Sequence, residues 1–118
     1  VLVVEDDVSI RQLVADILED AGYDVVTASD GTRAMQMLPT TELDAILLDM
    51  HMPGMNGSEF VDACRLTPGP RVPIIVFTAG DHAPRVARGI HADGFVSKPF
   101  DVSELLGVID NVISLPRA

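Results

Sequence analysis

VLVVEDD (Val1 to Asp7) sets four apolar residues directly before three carboxylates, and the same pattern of an apolar run ending in a chemical group recurs three times. AILL (Ala45 to Leu48) runs into Asp49, IIVF (Ile74 to Phe77) into Thr78, and GFVS (Gly94 to Ser97) into Lys98, the only lysine in the chain. Short continuous apolar runs are the pattern of strands covered on both faces in a parallel sheet. Open parallel sheets bind their ligands just outside the carboxyl ends of the strands. Glu5, Asp6, Asp49, Thr78 and Lys98 therefore stand where that architecture puts its site.

Stretches of helical period separate the runs. Val8, Leu13, Val14, Ile17, Leu18 and Ala21 follow 3.6-residue spacing and predict a helix to about Ala21, ended by Gly22. Tyr23 to Ala28 reads as a second strand. Asp30-Gly31 opens a short helix to Leu38, with Pro39 as its stop. MHMPGMNG (Met50 to Gly57) and TPGPRVP (Thr67 to Pro73) are loops by composition. Between them, Asn56 with Glu59 resembles a capping box opening a helix to about Leu66. Pro84 to Ala92 predicts a helix weakened by Gly89, and Phe95 to Ser97 a fifth strand. Asp101 with Glu104 starts a last helix to about Ser114. Five β-α units joined by right-handed crossovers imply an α/β fold, a doubly wound three-layer α/β/α sandwich.

A length of 118 residues suits one domain spanning 1–118 and large enough for a real core, and 47% apolar content excludes a disordered chain. No run approaches a membrane span, and no secretory leader is visible. The single cysteine, Cys64, has no internal disulfide partner and reads as a small core residue, which fits a reducing cytoplasm. A net charge of −10 argues against direct nucleic-acid binding.

Carboxylates gathered at adjacent strand ends repel one another, and a divalent cation relieves the repulsion. An all-oxygen set suits Mg²⁺, which keeps waters and favours a phosphate as a further ligand. Asp7, just before the first helix, reads instead as its N-cap. Asp49 has the chemistry of a nucleophile that takes a phosphoryl group as an acyl phosphate. Lys98 offers a compact positive charge to phosphoryl oxygens, and the Thr78 hydroxyl a hydrogen bond.

Together, VVEDD, LLDMHMPGMNG, VFTAG and SKPF resemble the response-regulator receiver domain of bacterial two-component signalling, in order, in spacing and over essentially the whole chain. The resemblance implies a flavodoxin-like strand order of 2-1-3-4-5. It implies Asp49 as phospho-acceptor, and Glu5 and Asp6 as the acidic pair holding Mg²⁺, with Asp6 ranked ahead of Glu5 as direct ligand. The backbone carbonyl of His51 would be the third protein ligand. Thr78 would be the switch hydroxyl, Phe95 the switch aromatic and Lys98 the phosphate-contacting lysine, its bond to Pro99 often cis in this family. The donor would be a sensor histidine kinase or a histidine phosphotransfer domain. Phosphorylation would alter the surface of the fourth helix, fifth strand and fifth helix, a surface that also suits a homodimer. Such a domain is not an enzyme in the usual sense, although it catalyses its own phosphoryl transfer and dephosphorylation. His51 and Gly80 stand where side chains influence how fast water removes the phosphate. Receivers occur as modules of longer proteins, which is the expectation here.

Other readings fit less well. Haloacid-dehalogenase-type phosphatases usually carry a second aspartate two residues after the nucleophile, where this chain has His51. A flavodoxin-like FMN site would place a phosphate against Glu5, Asp6 and Asp7, which repel it. A receiver-like interaction module working without phosphorylation remains the alternative.

Overall fold

A computed structural model describes residues 1–38, 42–50, 57–66, 72–79 and 83–114. Strands and helices alternate through the chain: β1 (Leu2–Val4), α1 (Val8–Asp20), β2 (Val26–Ala28), α2 (Gly31–Met37), β3 (Ile46–Asp49), α3 (Gly57–Leu66), β4 (Ile74–Ala79), α4 (Ala83–Gly89), β5 (Gly94–Lys98) and α5 (Val102–Ser114). All strand pairs are parallel, and the order is β2-β1-β3-β4-β5. The expected doubly wound sandwich is therefore present, and the switch in strand order falls at β1 and β3, whose ends carry Glu5 and Asp49.

Side chains alternate across each strand, so the apolar runs feed two cores. Val1, Val3, Leu47, Phe77 and Val96 pack with Val14 and Leu18 of α1 and with Leu105 and Ile109 of α5. Leu2, Val4, Ile46, Leu48 and Ile74 pack on the other face with Ala34 of α2 and Phe60 and Val61 of α3. Burying both faces is what lets these strands be apolar at every position. Cys64 is half-buried beside the second core, and burial pushes its thiol up to about 11, which makes it inert as a nucleophile.

Helix ends follow the expected chemistry. The Asp7 side chain accepts from Ile10 N at 3.0 Å, Asp30 from Arg33 N at 2.8 Å and Asp101 from Glu104 N at 2.7 Å. Past α1, Gly22 adopts φ +97°, its N–H donates to Glu19 O at 3.0 Å, and Tyr23 N–H donates to Leu18 O at 3.0 Å. This is a Schellman closure, which needs a left-handed residue at Gly22. It also shortens the second strand relative to the sequence reading: Tyr23 is spent on capping α1, and β2 begins at Val26. A second difference concerns α4, which ends at Gly89 instead of reaching Ala92. His91 turns left-handed at φ 56°, and Ala92 N–H reaches back to Ala87 O at 2.9 Å. Pro39 and Asn56, read as helix signals, lie outside the described residues.

Gly107 is exposed on α5, and a Cβ built there meets nothing within 4 Å. No turn or close approach calls for glycine there, so Gly107→Ala should stabilise the domain by about 1 kcal/mol, read as a higher urea midpoint.

Candidate functional site

Glu5, Asp49 and Thr78 are the buried polar or charged side chains among the described residues, at 1%, 4% and 0% exposure. Among the described residues, the desolvation cost of polar side chains is thus concentrated at one end of the sheet. Asp49 ends β3, Thr78 lies near the end of β4, Lys98 ends β5, and Glu5 follows β1. Sheet register sets them side by side: Asp49 pairs with Phe77, Thr78 with Ser97 and Ala79 with Lys98.

Lys98 crosses the strand ends to the acids, its Nζ 2.6 Å from Glu5 Oε1 and 3.5 Å from Asp49 Oδ2. Glu5, Asp6 and Asp49 each present a carboxylate oxygen, and these atoms lie within 4.8 Å of one another. Asp6 is exposed at the mouth, whereas Glu5 and Asp49 line the floor. The three acidic side chains outnumber the Lys98 ammonium, and the donors are all hard oxygens. That set fits a hard divalent cation.

Burial pushes the Glu5 carboxyl up to about 7, with Asp49 adding to the rise and Lys98 opposing it. Folded Glu5 thus keeps its proton to about pH 7, while an unfolded glutamate releases it near 4.5. Between those values the folded state binds more protons, so metal-free stability should fall as pH rises through this window. We expect the urea midpoint in chelator to drop between about pH 5 and about pH 7.5, with a flatter profile for Glu5→Gln. Equal slopes for the two chains would remove Glu5 as the source.

Thr78 Oγ1 is buried and has no hydrogen-bond partner among the described residues. Phe95, one strand over, is 41% exposed. The Lys98-Pro99 peptide bond is cis, as the resemblance implies. Asp7 caps α1 through its side chain, in line with its reading as a cap residue. His51 and Gly80 lie outside the described residues.

Three participants were not singled out from sequence. Arg11 Nη1 donates to the Glu5 carbonyl at 2.9 Å and so braces the acidic loop. Phe77 lies under the Lys98 ammonium, and Phe100 lies against Phe77. Arg11 had a signal in its place four residues beyond the N-cap, one turn along α1. The phenylalanines looked like core, and a ring's second role is invisible without its neighbour's position.

The comparisons with known proteins converge on one family. A family model described as the response regulator receiver domain matches residues 1–110. The chain is a response regulator receiver domain. It is 37% identical over 109 residues to the DNA-binding response regulator MtrA of Mycobacterium tuberculosis, covering 90% of this chain and 46% of that one. The receiver thus spans about half the length of the curated relatives it matches. Among solved structures, the chemotaxis response regulator CheY4 of Vibrio cholerae superposes with a TM-score of 0.84 at 37% identity, covering 94% and 95% of the two chains. The signal receiver domain of a signal transduction histidine kinase from Syntrophus aciditrophicus does so with 0.84 at 29% identity, covering 96% and 88%. The receiver is a signalling domain of two-component regulation. Among the described residues, no helix is long and apolar enough to cross a membrane.

Proposed function

We propose that this receiver takes a phosphoryl group on Asp49 and relays its arrival to the surface formed by α4, β5 and α5. The observation that carries the reading is the Asp49 carboxylate itself. It is nearly buried at a strand end, 3.5 Å from the Lys98 ammonium and grouped with Glu5 and Asp6. An Asp49 oxygen attacks phosphorus, forming an acyl phosphate, while the bond from phosphorus to the donor nitrogen breaks and the imidazole leaves with its electron pair. Lys98 contributes a fixed charge close to the transferring oxygens. Asp6 and Asp49, with Glu5 behind them, would hold Mg²⁺, which neutralises phosphoryl charge when bound. The His51 carbonyl is proposed as a further ligand.

Among the described residues the buried Thr78 hydroxyl has no hydrogen-bond partner, and β4 carries it beside β5, which ends at Lys98, so we assign it to the arriving oxygens. Its turn toward them vacates space for Phe95 to move inward, which biases the α4-β5-α5 surface. Water attacking the acyl phosphate resets the domain, at a rate we assign to the surroundings of His51 and Gly80. The donor is a phosphohistidine on a sensor kinase or a phosphotransfer domain, and the changed surface is a candidate homodimer contact. We further propose that residues 1–118 are one cytoplasmic module of a longer regulator, since the curated relatives are about twice as long. A net charge of −10 assigns any nucleic-acid contact to another part of such a protein. No observation favours a phosphate-independent role.

Borohydride reduction after incubation with a small acyl phosphate tests the acceptor. Reduction converts an aspartyl phosphate to homoserine, and peptide mapping should find it at position 49. Homoserine elsewhere, or nowhere, would overturn the assignment.

A further inference from the structure

The Lys98 ammonium lies over an aromatic face. Its Nζ is 4.5 Å from the ring centroid of Phe77 while holding Glu5 Oε1 at 2.6 Å. Phe77 is fully buried on β4, in register with Asp49 on β3. Phe100 packs edge-to-face on Phe77, with ring centroids 5.2 Å apart and planes at 65°. The ammonium and the ring that braces its seat therefore come from one short segment, Lys98 to Phe100.

A cation within about 6 Å of an aromatic centroid is attracted by the ring quadrupole, more strongly where water is excluded. The Lys98 side chain is only 20% exposed, so the attraction acts in a partly dry site. Lysine carries its charge on a flexible four-carbon stem, and two carboxylates alone offer several competing positions. A leucine in place of Phe77 would fill space without favouring one of them.

We propose that Phe77 is a positioning residue for phosphoryl transfer: its ring face seats the Lys98 ammonium between Glu5 and Asp49 before the phosphoryl group arrives. The inference rests on the phospho-acceptor reading of Asp49 and extends it to a residue that touches neither phosphate nor metal. Arrival of the phosphoryl group then needs no search by the lysine, and the charge is preorganised.

Fluorinated phenylalanines test this in the full chain. Fluorine drains the ring's negative face with little change in volume, and site-specific incorporation at position 77 leaves Phe60, Phe95 and Phe100 native. With a small acyl phosphate and Mg²⁺, the rate of phosphoryl gain should fall stepwise through the mono-, di- and trifluoro rings. The last step should reach about one-fifth to one-tenth of the native rate, with every variant still folded at the assay temperature. Phe77→Leu should lose a similar factor. The ε-methylene protons of the sole lysine should also lose their upfield ring-current shift in that variant. A flat rate across the series, in a chain that does take phosphoryl, would overturn the seat while leaving the acceptor intact. A native chain that takes no phosphoryl would overturn both.

Discussion

Lys98→Ala should slow phosphoryl uptake from a small acyl phosphate by about 100-fold, in line with removing one preorganised charge from a developing oxyanion. The ammonium lies 3.5 Å from Asp49 Oδ2, and no second lysine exists to replace it. The arginines carry planar guanidinium forks, which do not substitute for a point charge at the end of β5. The stability of the same variant should depend on pH. Stripping the partner from a buried ion pair costs about 3–5 kcal/mol when the remaining charge has no escape. Glu5 has an escape: Lys98 opposes the rise of its pKa, so without the lysine it holds its proton more firmly. Lys98→Ala should therefore unfold near the native urea midpoint at about pH 6 and well below it at about pH 8 without Mg²⁺. A rate within about twofold of native would remove Lys98 from the chemistry.

Thr78→Val should separate stability from signalling. A buried hydroxyl without a partner costs about 1–3 kcal/mol, and Thr78 Oγ1 is in that condition among the described residues. Valine keeps the branched shape, suits a strand equally well and has no donor to strand. The unmodified variant should gain about 1 kcal/mol or more, read from urea unfolding at pH 7. It should still accept a phosphoryl group, because Asp49 and Lys98 are untouched. Phe95 should then stay outward: fluorine NMR at position 95 should respond to phosphodonor in the native chain and not in Thr78→Val. A native-like response in the variant would show that the hydroxyl does not link the acceptor to the surface. The predicted gain carries a physical meaning, since a group retained at a cost in the resting state is one whose partner arrives later.

The strands were legible because their burial on both faces leaves a mark that needs no tertiary knowledge. VLVV, AILL and IIVF became β1, β3 and β4, and the residues ending them stand at one end of the sheet. Caps were equally legible: Asp7, Asp30 and Asp101 act through bonds to N–H groups three residues on, entirely within local sequence. Boundaries were less so. Tyr23 has the composition of a strand residue, yet its N–H closes α1, a choice settled by the glycine before it. Ala92 fits a helical pattern, but the chain reverses at His91 to bring Asp93 against Ile74, where N–H and carbonyl pair at 2.8 Å. The aromatic seat under Lys98 and the Arg11 brace on the Glu5 carbonyl depend on residues brought together by the sheet, and no local pattern encodes them.

The most direct measurement is intact mass after incubation with a small acyl phosphate, with and without Mg²⁺, on the native chain and on Asp49→Asn. A gain of one phosphoryl group that requires Mg²⁺ and is absent from Asp49→Asn is the predicted result. No gain in a folded native chain, or the same gain in Asp49→Asn, would contradict it.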